Sequence, residues 1–356
     1  MSVTLHRLGG EEGGRMSWDY YPILRWKQGE QLAMARLDAA DRAGLLPIAE
    51  VQVLEAGSQP KLEKTLRSAH ADQYPIAIDI KPVYLGTRVP MARLAGIVGR
   101  FQKAGLAVWP VVHGADALAD TTGLLAFKGH ADLVLRIYPN DTPLTAALAI
   151  AKGARKAMGR AGRLHVVIDL DSIGDIDPNA VAAMAVPYVR DLTALGDVTR
   201  VIVAGGSFPL TVGGFKLGVG NLLPRRELSI WKAVGAASGC HGTAFGDYGV
   251  TNPQPLEPID PRTMNPSAHI RYTLKNEWWL LRASGVKTKG WAQYNGLCVL
   301  LVNDARYCGT AFSFGDGRYM AHSNTGSTPG SFMTWRRDAT SHHLVYTVRQ
   351  LATGNY

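Results

Sequence analysis

Residues 132–170, DLVLRIYPNDTPLTAALAIAKGARKAMGRAGRLHVVIDL, contain the pattern that decides the fold. The runs DLVLRIY at 132–138 and LHVVIDL at 164–170 are largely apolar and rich in branched residues, which is typical of strands covered on both faces. Between them, the alanine-rich stretch 142–159 favours a helix. A buried strand, a helix and a second buried strand predict a βαβ unit and therefore a parallel sheet.

The same alternation continues in both directions along the chain. Further strands are predicted at residues 21–26, 45–54, 75–80, 106–112, 198–204 and 242–248, with helical stretches between most of them. Eight strands in about 230 residues match a closed barrel, which typically has ~250 residues. An open doubly wound sheet is the alternative, but no G-x-G-x-x-G motif follows the first strand. We therefore predict an α/β fold, with a (β/α)8 TIM-like barrel at 19–250 after a flexible N-terminal lead-in at 1–18.

The pattern changes after residue 250. Five prolines within residues 250–266 predict an ordered, non-helical connection. A strand-like segment at 269–283 and helical segments at 291–302 and 341–351 follow, with Thr340 or Ser341 as the expected N-cap of the last helix. Residues 251–356 are thus predicted to form this connection and a smaller C-terminal α+β subdomain.

Composition narrows the classes of protein to consider. No apolar run approaches the ~20 residues of a membrane span, so no membrane partner is expected. The three cysteines are an odd number without a C-x-x-C pair, which argues against a disulfide framework and fits the reducing cytoplasm. The formal charge of +9 favours contact with nucleic acid, although many basic proteins bind none and no run of five lysines or arginines is present.

Polar residues gather where the predicted strands end, and in such barrels the carboxyl ends of the strands carry the active site. The candidate catalytic carboxylates are Glu50, Asp79, Asp169 and Asp171, and the candidate anion-binding residues are Lys27, Lys81 and Arg136. Because side chains alternate along a strand, Asp79 is expected to face the same way as Lys81, and Asp169 the same way as Asp171. Several carboxylates together also suit a hard divalent cation. The alternative is an internal network of ion pairs that joins the strands.

Further candidates for substrate binding lie around the same predicted ends and in the C-terminal part. Tyr138 ends the fifth strand, and Ser207 lies in a Gly-rich loop that suits either a phosphate or a tight turn. Asp247 is a candidate for catalysis or for capping a turn. Arg336, next to Trp335, suits an anion or a contact between domains. His342 and His343 are adjacent on a predicted helix, so they do not share a face for one metal ion.

Several segments resemble the beta family protein, a group found in bacteria and phages. They are YPILRWKQGE at 21–30, FGDYGVTNP at 245–253, MNPSAHIRY at 264–272, TWRR at 334–337, HHL at 342–344 and VRQL at 348–351. The resemblance spans almost the whole chain. It implies a role in phage–host conflict and brings no known activity, so no catalytic residue is carried over from it.

Two functions follow as hypotheses. The first is a hydrolase that cleaves a phosphodiester or glycosidic bond in a phosphate- or hydroxyl-bearing substrate at the strand ends. The second is a non-catalytic module that binds a partner protein or nucleic acid.

Overall fold

The computed structural model describes residues 18–54, 58–84, 86–159, 161–254, 263–324 and 326–354. Almost all of the predicted lead-in, and the middle of the predicted proline-rich connection, lie outside these ranges. The strands are β1 (Tyr20–Leu24), β2 (Ile48–Glu50), β3 (Ile76–Asp79), β4 (Val108–His113), β5 (Asp132–Ile137), β6 (Arg163–Ser172), β7 (Arg200–Gly206), β8 (Gly220–Pro224), β9 (Ala244–Asp247), β10 (Ser267–Thr273) and β11 (Glu277–Gly285). The helices are α1 (Gln28–Met34), α2 (Ala39–Ala43), α3 (Gln59–Ser68), α4 (Met91–Lys103), α5 (Gly114–Ala119), α6 (Leu144–Met158), α7 (Pro178–Ala194), α8 (Arg226–Ala236), α9 (Val286–Lys289), α10 (Gln293–Val302), α11 (Phe314–Ser323) and α12 (Phe332–Thr353).

A closed parallel barrel forms the larger part of the described chain. Its eight strands follow the order β1-β2-β3-β4-β5-β6-β7-β9, and β1 closes the ring by pairing with β9. Helices follow most of the strands and cover the outside, so the strands are buried on both faces, which explains their nearly continuous apolar runs. The predicted (β/α)8 TIM-like barrel is confirmed.

Strand alternation divides the barrel residues into two sets. One set, which includes Tyr21, Ile48, Val134 and Ile202, forms a cluster of its own and fills the barrel interior. The alternate residues pack against the surrounding helices in a larger cluster. At the amino-terminal end of the strands, the rings of Trp109 and His165 lie 5.0 Å apart and help to fill the interior.

A three-stranded antiparallel sheet, in the order β10-β11-β8, stands beside the barrel. β8 comes from the segment between barrel strands β7 and β9, and the sequence did not predict it. Its side chains are mostly exposed or half-buried, so it lacks the apolar pattern by which the other strands were recognised. α10, α11 and α12 pack with this sheet.

The last helix begins earlier than predicted. Ser331 is its N-cap, and the Ser331 hydroxyl accepts a hydrogen bond from the backbone N–H of Thr334 at 3.4 Å. Thr340 and Ser341 lie inside α12 and are buried, so the predicted N-cap there is wrong. Burial around much of this helix hides the amphipathic pattern that would locate its start. Among the described helices, none is both long and apolar enough to cross a bilayer.

Candidate functional site at the carboxyl ends of the barrel strands

Polar side chains form the last layer inside the barrel, where the strands end. We call this set the Arg136 layer; its members are Glu50, Asp79, His113, Arg136, Asp169 and Tyr248. The strand register places Glu50 beside Asp79 and His113 beside Arg136. Side chains of neighbouring strands that point into the barrel therefore lie at the same height along its axis. The apolar residues beneath them belong to the interior cluster, and the polar layer therefore lies at the edge of a dry core.

Arg136 is the centre of this layer and is almost completely buried. Its Nε donates to Asp169 at 2.7 Å, and its Nη1 donates to Asp79 at 2.6 Å and to Glu50 at 2.9 Å. Its Nη2 donates to the Tyr248 hydroxyl at 2.7 Å, and that hydroxyl donates in turn to Asp169 at 2.7 Å. A single guanidinium thus holds side chains from four strands or strand ends, and its planar donor geometry suits this role.

The charges in the layer shift its protonation equilibria. Burial alone would raise the pKa of Asp79, but His113 and Arg136 outweigh burial and hold this pKa well below its usual range. The His113 Nε2 lies 2.8 Å from Asp79 Oδ2. Burial disfavours the charge on Arg136, but the neighbouring phenols and carboxylates outweigh that cost and raise its pKa further. We conclude that Asp79 and Arg136 remain ionised.

Aspartates cap the ends of three barrel strands in the same way. Asp79, Asp169 and Asp247 each accept a hydrogen bond at Oδ1 from the backbone N–H two residues later, at 2.8, 2.9 and 3.0 Å. This local bond turns the chain at the strand end, as aspartate does in turns. Asp79 and Asp169 reach the interior, whereas Asp247 reaches the opposite face of its strand and contacts Tyr20 and His343.

Above the Arg136 layer lies a depression of about 290 Å³, which we call the barrel opening. Its lining residues are Glu50, Tyr138, Asp141, Asp171, Tyr248, Pro253 and Gln254. The Gln254 amide donates to Asp171 Oδ2 at 3.0 Å. A ligand in the barrel opening would contact the surrounding loops and, through Glu50 and Tyr248, the Arg136 layer.

Two carboxyl groups at the barrel opening hold their protons more strongly than usual. Burial raises the pKa of Glu50, and the charge of Asp79 adds to the rise while Arg136 opposes it. Burial also raises the pKa of Asp171, and the charge of Asp169 adds to it. Carboxyl groups with raised pKa values are suited to general acid and base chemistry.

The structure departs from the predicted orientation of two pairs. β3 ends at Asp79, so the alternation does not continue to Lys81, whose ammonium donates to Asp116 at 2.7 Å and to the Thr87 carbonyl at 3.1 Å. The predicted shared face of Asp79 and Lys81 is therefore wrong. The register between β6 and β7 shifts after Asp169, and Asp171 has a left-handed backbone with φ of 54°. Strict alternation fails there too, although Asp171 still reaches the barrel opening.

The remaining predicted site residues lie elsewhere. Lys27 is exposed at the N-cap of α1, and Ser207 is buried, where it donates to the Glu227 carboxylate. Arg336 forms an ion pair with Glu30 of α1 at 3.2 Å, which is the contact between barrel and C-terminal part that the sequence left open. His342 is buried against Asp316 at 2.9 Å and stacks on Tyr272. His342 and His343 have different carboxylate partners, as expected for adjacent helical residues.

Four polar residues of the site were not selected from the sequence. His113 directly follows the predicted strand at 106–112 and Tyr248 ends the one at 242–248, but the candidates were chosen among other residues at the strand ends. Asp141 and Gln254 lie in loops, where no periodicity shows which way a side chain points. Among the residues that the structure describes, no group of three or more His, Cys, Asp or Glu is arranged to hold a metal ion.

Comparison with known proteins identifies one relationship. A family model described as Beta protein matches residues 20–349, which includes the whole barrel and nearly all of α12. A search of the curated proteins finds no match.

Proposed function

The chain belongs to the Beta protein family, and from the geometry of the barrel opening we propose that it is a hydrolase of hydroxyl-bearing substrates. One observation carries this proposal: two carboxyl groups with raised pKa values, Glu50 and Asp171, line the same opening at the carboxyl ends of barrel strands. Barrels of this kind place their catalytic residues at that end.

The proposed reaction is hydrolysis of a glycosidic bond. Glu50, held by Arg136 and mostly buried, donates its proton to the leaving oxygen as the carbon–oxygen bond breaks. Asp171, which is half-exposed, accepts a proton from the water whose oxygen bonds to the same carbon. The products are two hydroxyl groups, and the protons balance because Asp171 gains the one that Glu50 loses.

The charge of the barrel opening favours a glycosidic over a phosphodiester substrate. Its described lining residues include three carboxyl groups and neither lysine nor arginine. Arg136 donates to carboxylates from Nε and Nη1, and Lys81 pairs with Asp116. An anionic phosphate would meet repulsion there, whereas neutral hydroxyl groups would find hydrogen-bond acceptors.

The test is hydrolysis of a panel of 4-nitrophenyl glycosides, with bis(4-nitrophenyl) phosphate as the phosphodiester probe. Glu50→Gln and Asp171→Asn should each lower kcat by about 10²–10⁴-fold, the usual contribution of an acid or base. Glu63→Gln and Asp72→Asn change carboxyls remote from the barrel opening and should leave kcat unchanged. Cleavage of the phosphodiester alone, no cleavage of any glycoside, or full activity in both site variants would contradict the proposal.

A pH profile separates the two roles. If Glu50 is the acid, its raised pKa places the alkaline limb of kcat/KM at higher pH than an exposed glutamate would. Glu50→Gln should then remove this limb from the residual activity, while Asp171→Asn should remove the acidic limb. An unchanged profile in either variant would show that the residue does not titrate in the reaction.

The second candidate function is a binding module without catalysis, specific for nucleic acid. Arg136 donates to protein groups from all three of its side-chain nitrogen atoms and fills the end of the barrel, which favours binding elsewhere on this chain, whose formal net charge is +9. Retention of the chain on DNA or RNA should then fall steeply as salt rises, because neutralised phosphates release counterions. No retention at low salt would remove this candidate.

We further propose that the activity serves phage–host conflict in the cytoplasm. The resemblance to a group found in bacteria and phages supports the first part, and the free cysteines Cys240, Cys298 and Cys308 support the second. A panel of phages should have a lower efficiency of plating on bacteria that produce the chain than on bacteria that produce its Glu50→Gln variant. Equal plating on both strains would contradict a catalytic role in this conflict.

A further inference from the structure

The barrel opening has an unbalanced charge. Glu50, Asp141 and Asp171 bring three carboxyl groups to its lining, together with two phenols and the Gln254 amide. Asp141 is exposed, and its Oδ1 accepts one hydrogen bond from the Thr142 hydroxyl at 2.6 Å. The rim thus presents carboxylate oxygens to any ligand in the depression.

The layer below does not neutralise this charge. Asp79 and Asp169 add two more carboxyl groups, and Arg136 is shared among Asp79, Asp169 and Glu50. Arg25 adds a cation beside the opening, since its Nη2 donates to the carbonyls of Pro253 and Gln254 at 2.8 and 2.6 Å. Even with Glu50 protonated as the proposed acid, the four remaining carboxyl groups outnumber the guanidinium groups of Arg25 and Arg136 and the imidazole of His113. Burial, and after it the charge of Asp169, raise the pKa of Asp171, so a cation beside Asp171 would favour its ionised form.

This local charge is opposite to that of the whole chain. The whole chain has a formal net charge of +9, whereas the barrel opening is lined by three carboxyl groups. Charge of one sign gathered in a cleft concentrates ligands of the other sign there. A neutral sugar uses the hydrogen-bond acceptors but leaves the charge unbalanced.

We infer that the substrate of the barrel opening is cationic, an amino sugar or a similar skeleton that joins hydroxyl groups to an ammonium. The inference rests on the proposed function and names the substrate class of the same site. The ammonium binds at the rim formed by Asp141 and Asp171, where it keeps Asp171 ionised as the base. The hydroxyl groups and the scissile bond then occupy the deeper part beside Glu50.

Binding is measured on the Glu50→Gln chain, so that no turnover intervenes. The probes are a glucosamine tetramer and its fully N-acetylated form, which share a backbone and differ in charge. The amino form should bind roughly ten-fold tighter at low salt, as expected for one charge-assisted hydrogen bond. This preference should shrink in 0.5 M salt and in Asp141→Asn, while Asp72→Asn leaves it unchanged.

The outcomes separate the inference from the proposed function. Equal affinity for the two tetramers, preference for the acetylated form, or no binding of the amino form at millimolar concentration would overturn the inference. Cleavage of neutral glycosides by the wild-type chain without any charge preference would overturn the inference alone. Selective binding of the amino form, without cleavage of any glycoside by the wild-type chain, would overturn the proposed hydrolase and leave the charge preference standing.

Discussion

Arg136 explains how several carboxylates can be buried at one end of a barrel. Removing a carboxylate from water is costly unless a partner of opposite charge and hydrogen bonds replace the water. Arg136 supplies both to Asp79, Asp169 and Glu50. Its bonds also leave it no role as a free anion-binding cation, which is the role that the sequence assigned to it.

Replacing Arg136 therefore tests the layer directly. Arg136→Met should lower the free energy of unfolding by about 3–5 kcal/mol, because the variant leaves buried carboxylates without a counter-charge. Arg67→Met is the matched control, since Arg67 pairs with Glu63 on an exposed helix face, and its loss should be at most about 1 kcal/mol. Urea unfolding at neutral pH measures both. A loss below 1 kcal/mol for Arg136→Met would show that the layer is not held by this charge.

Glu227 is a buried acid at a different place, beneath the C-terminal sheet. It accepts a hydrogen bond from Ser207, and its Oε1 lies 3.7 Å from Arg225 Nε. Burial raises the pKa of Glu227 to about 7, and the charge of Arg225 and the bond from Ser207 only partly oppose the rise. The folded chain therefore holds a proton that the unfolded chain releases at lower pH.

This difference makes stability depend on pH. Between the usual value of 4.5 and about 7, the folded state binds more protons at Glu227 than the unfolded state, so stability falls as pH rises through that window and levels off above it. The shift corresponds to at most about 3 kcal/mol. Glu227→Gln keeps a neutral polar side chain and should remove the part of the slope that Glu227 contributes, while the raised pKa values of Glu50 and Asp171 leave their own part in place. Urea unfolding from pH 4.5 to 8 checks it, and an unaltered slope in the variant would assign the dependence to another group.

At the scale of elements, α11 and α12 meet with their backbones in close approach. A Cβ atom added at Gly315 of α11 would lie 2.1 Å from the carbonyl oxygen of Asp338 in α12. The Ser341 hydroxyl also accepts a hydrogen bond from the Gly315 backbone N–H at 3.1 Å. Gly315 is therefore required by the packing of the two helices.

Alanine substitution at two helical glycines separates packing from helix propensity. Gly315→Ala should destabilise the chain by about 1–3 kcal/mol, because the helices must move apart. Gly296→Ala in α10 has nothing within 4 Å of the added atom and should stabilise by up to about 1 kcal/mol. Thermal unfolding of both variants gives the comparison. A stabilised Gly315→Ala chain would show that α11 and α12 do not touch in this way.

The barrel elements were predictable because their signal is local. Continuous apolar runs place β3, β4, β5 and β6 near their predicted positions, and the rule about strand ends leads to Glu50, Asp79 and Asp169. Local sequence patterns do not predict features that depend on tertiary contacts. A register shift redirects Asp171, an exposed strand such as β8 carries no apolar pattern, and the partners of Asp247 and His342 lie in elements far away along the chain.

At the scale of the whole molecule, the barrel and the C-terminal part are joined by a strand and by buried contacts. β8 leaves the barrel sequence between β7 and β9 and pairs with β11 in the other sheet. His343 of α12 contacts Asp247 of β9 at 2.9 Å, Tyr20 of β1 at 3.0 Å and Thr273 of β10 at 2.9 Å. This one buried side chain joins both sheets, so the C-terminal α+β part is tied to the barrel by shared buried contacts.

Because the two parts are joined in this way, we expect them to unfold together in one transition. Ile202→Ala removes buried side-chain atoms inside the barrel, and Leu280→Ala does so in the C-terminal sheet, each costing about 2–5 kcal/mol. The hydrogen bonds of His343 join the two parts, so neither part keeps them when the other unfolds. Both variants should therefore shift a single calorimetric transition to lower temperature, with van't Hoff and calorimetric enthalpies in agreement. If Leu280→Ala instead produced an early transition while the main transition stayed in place, the C-terminal part would unfold on its own, and His343 would not couple it to the barrel.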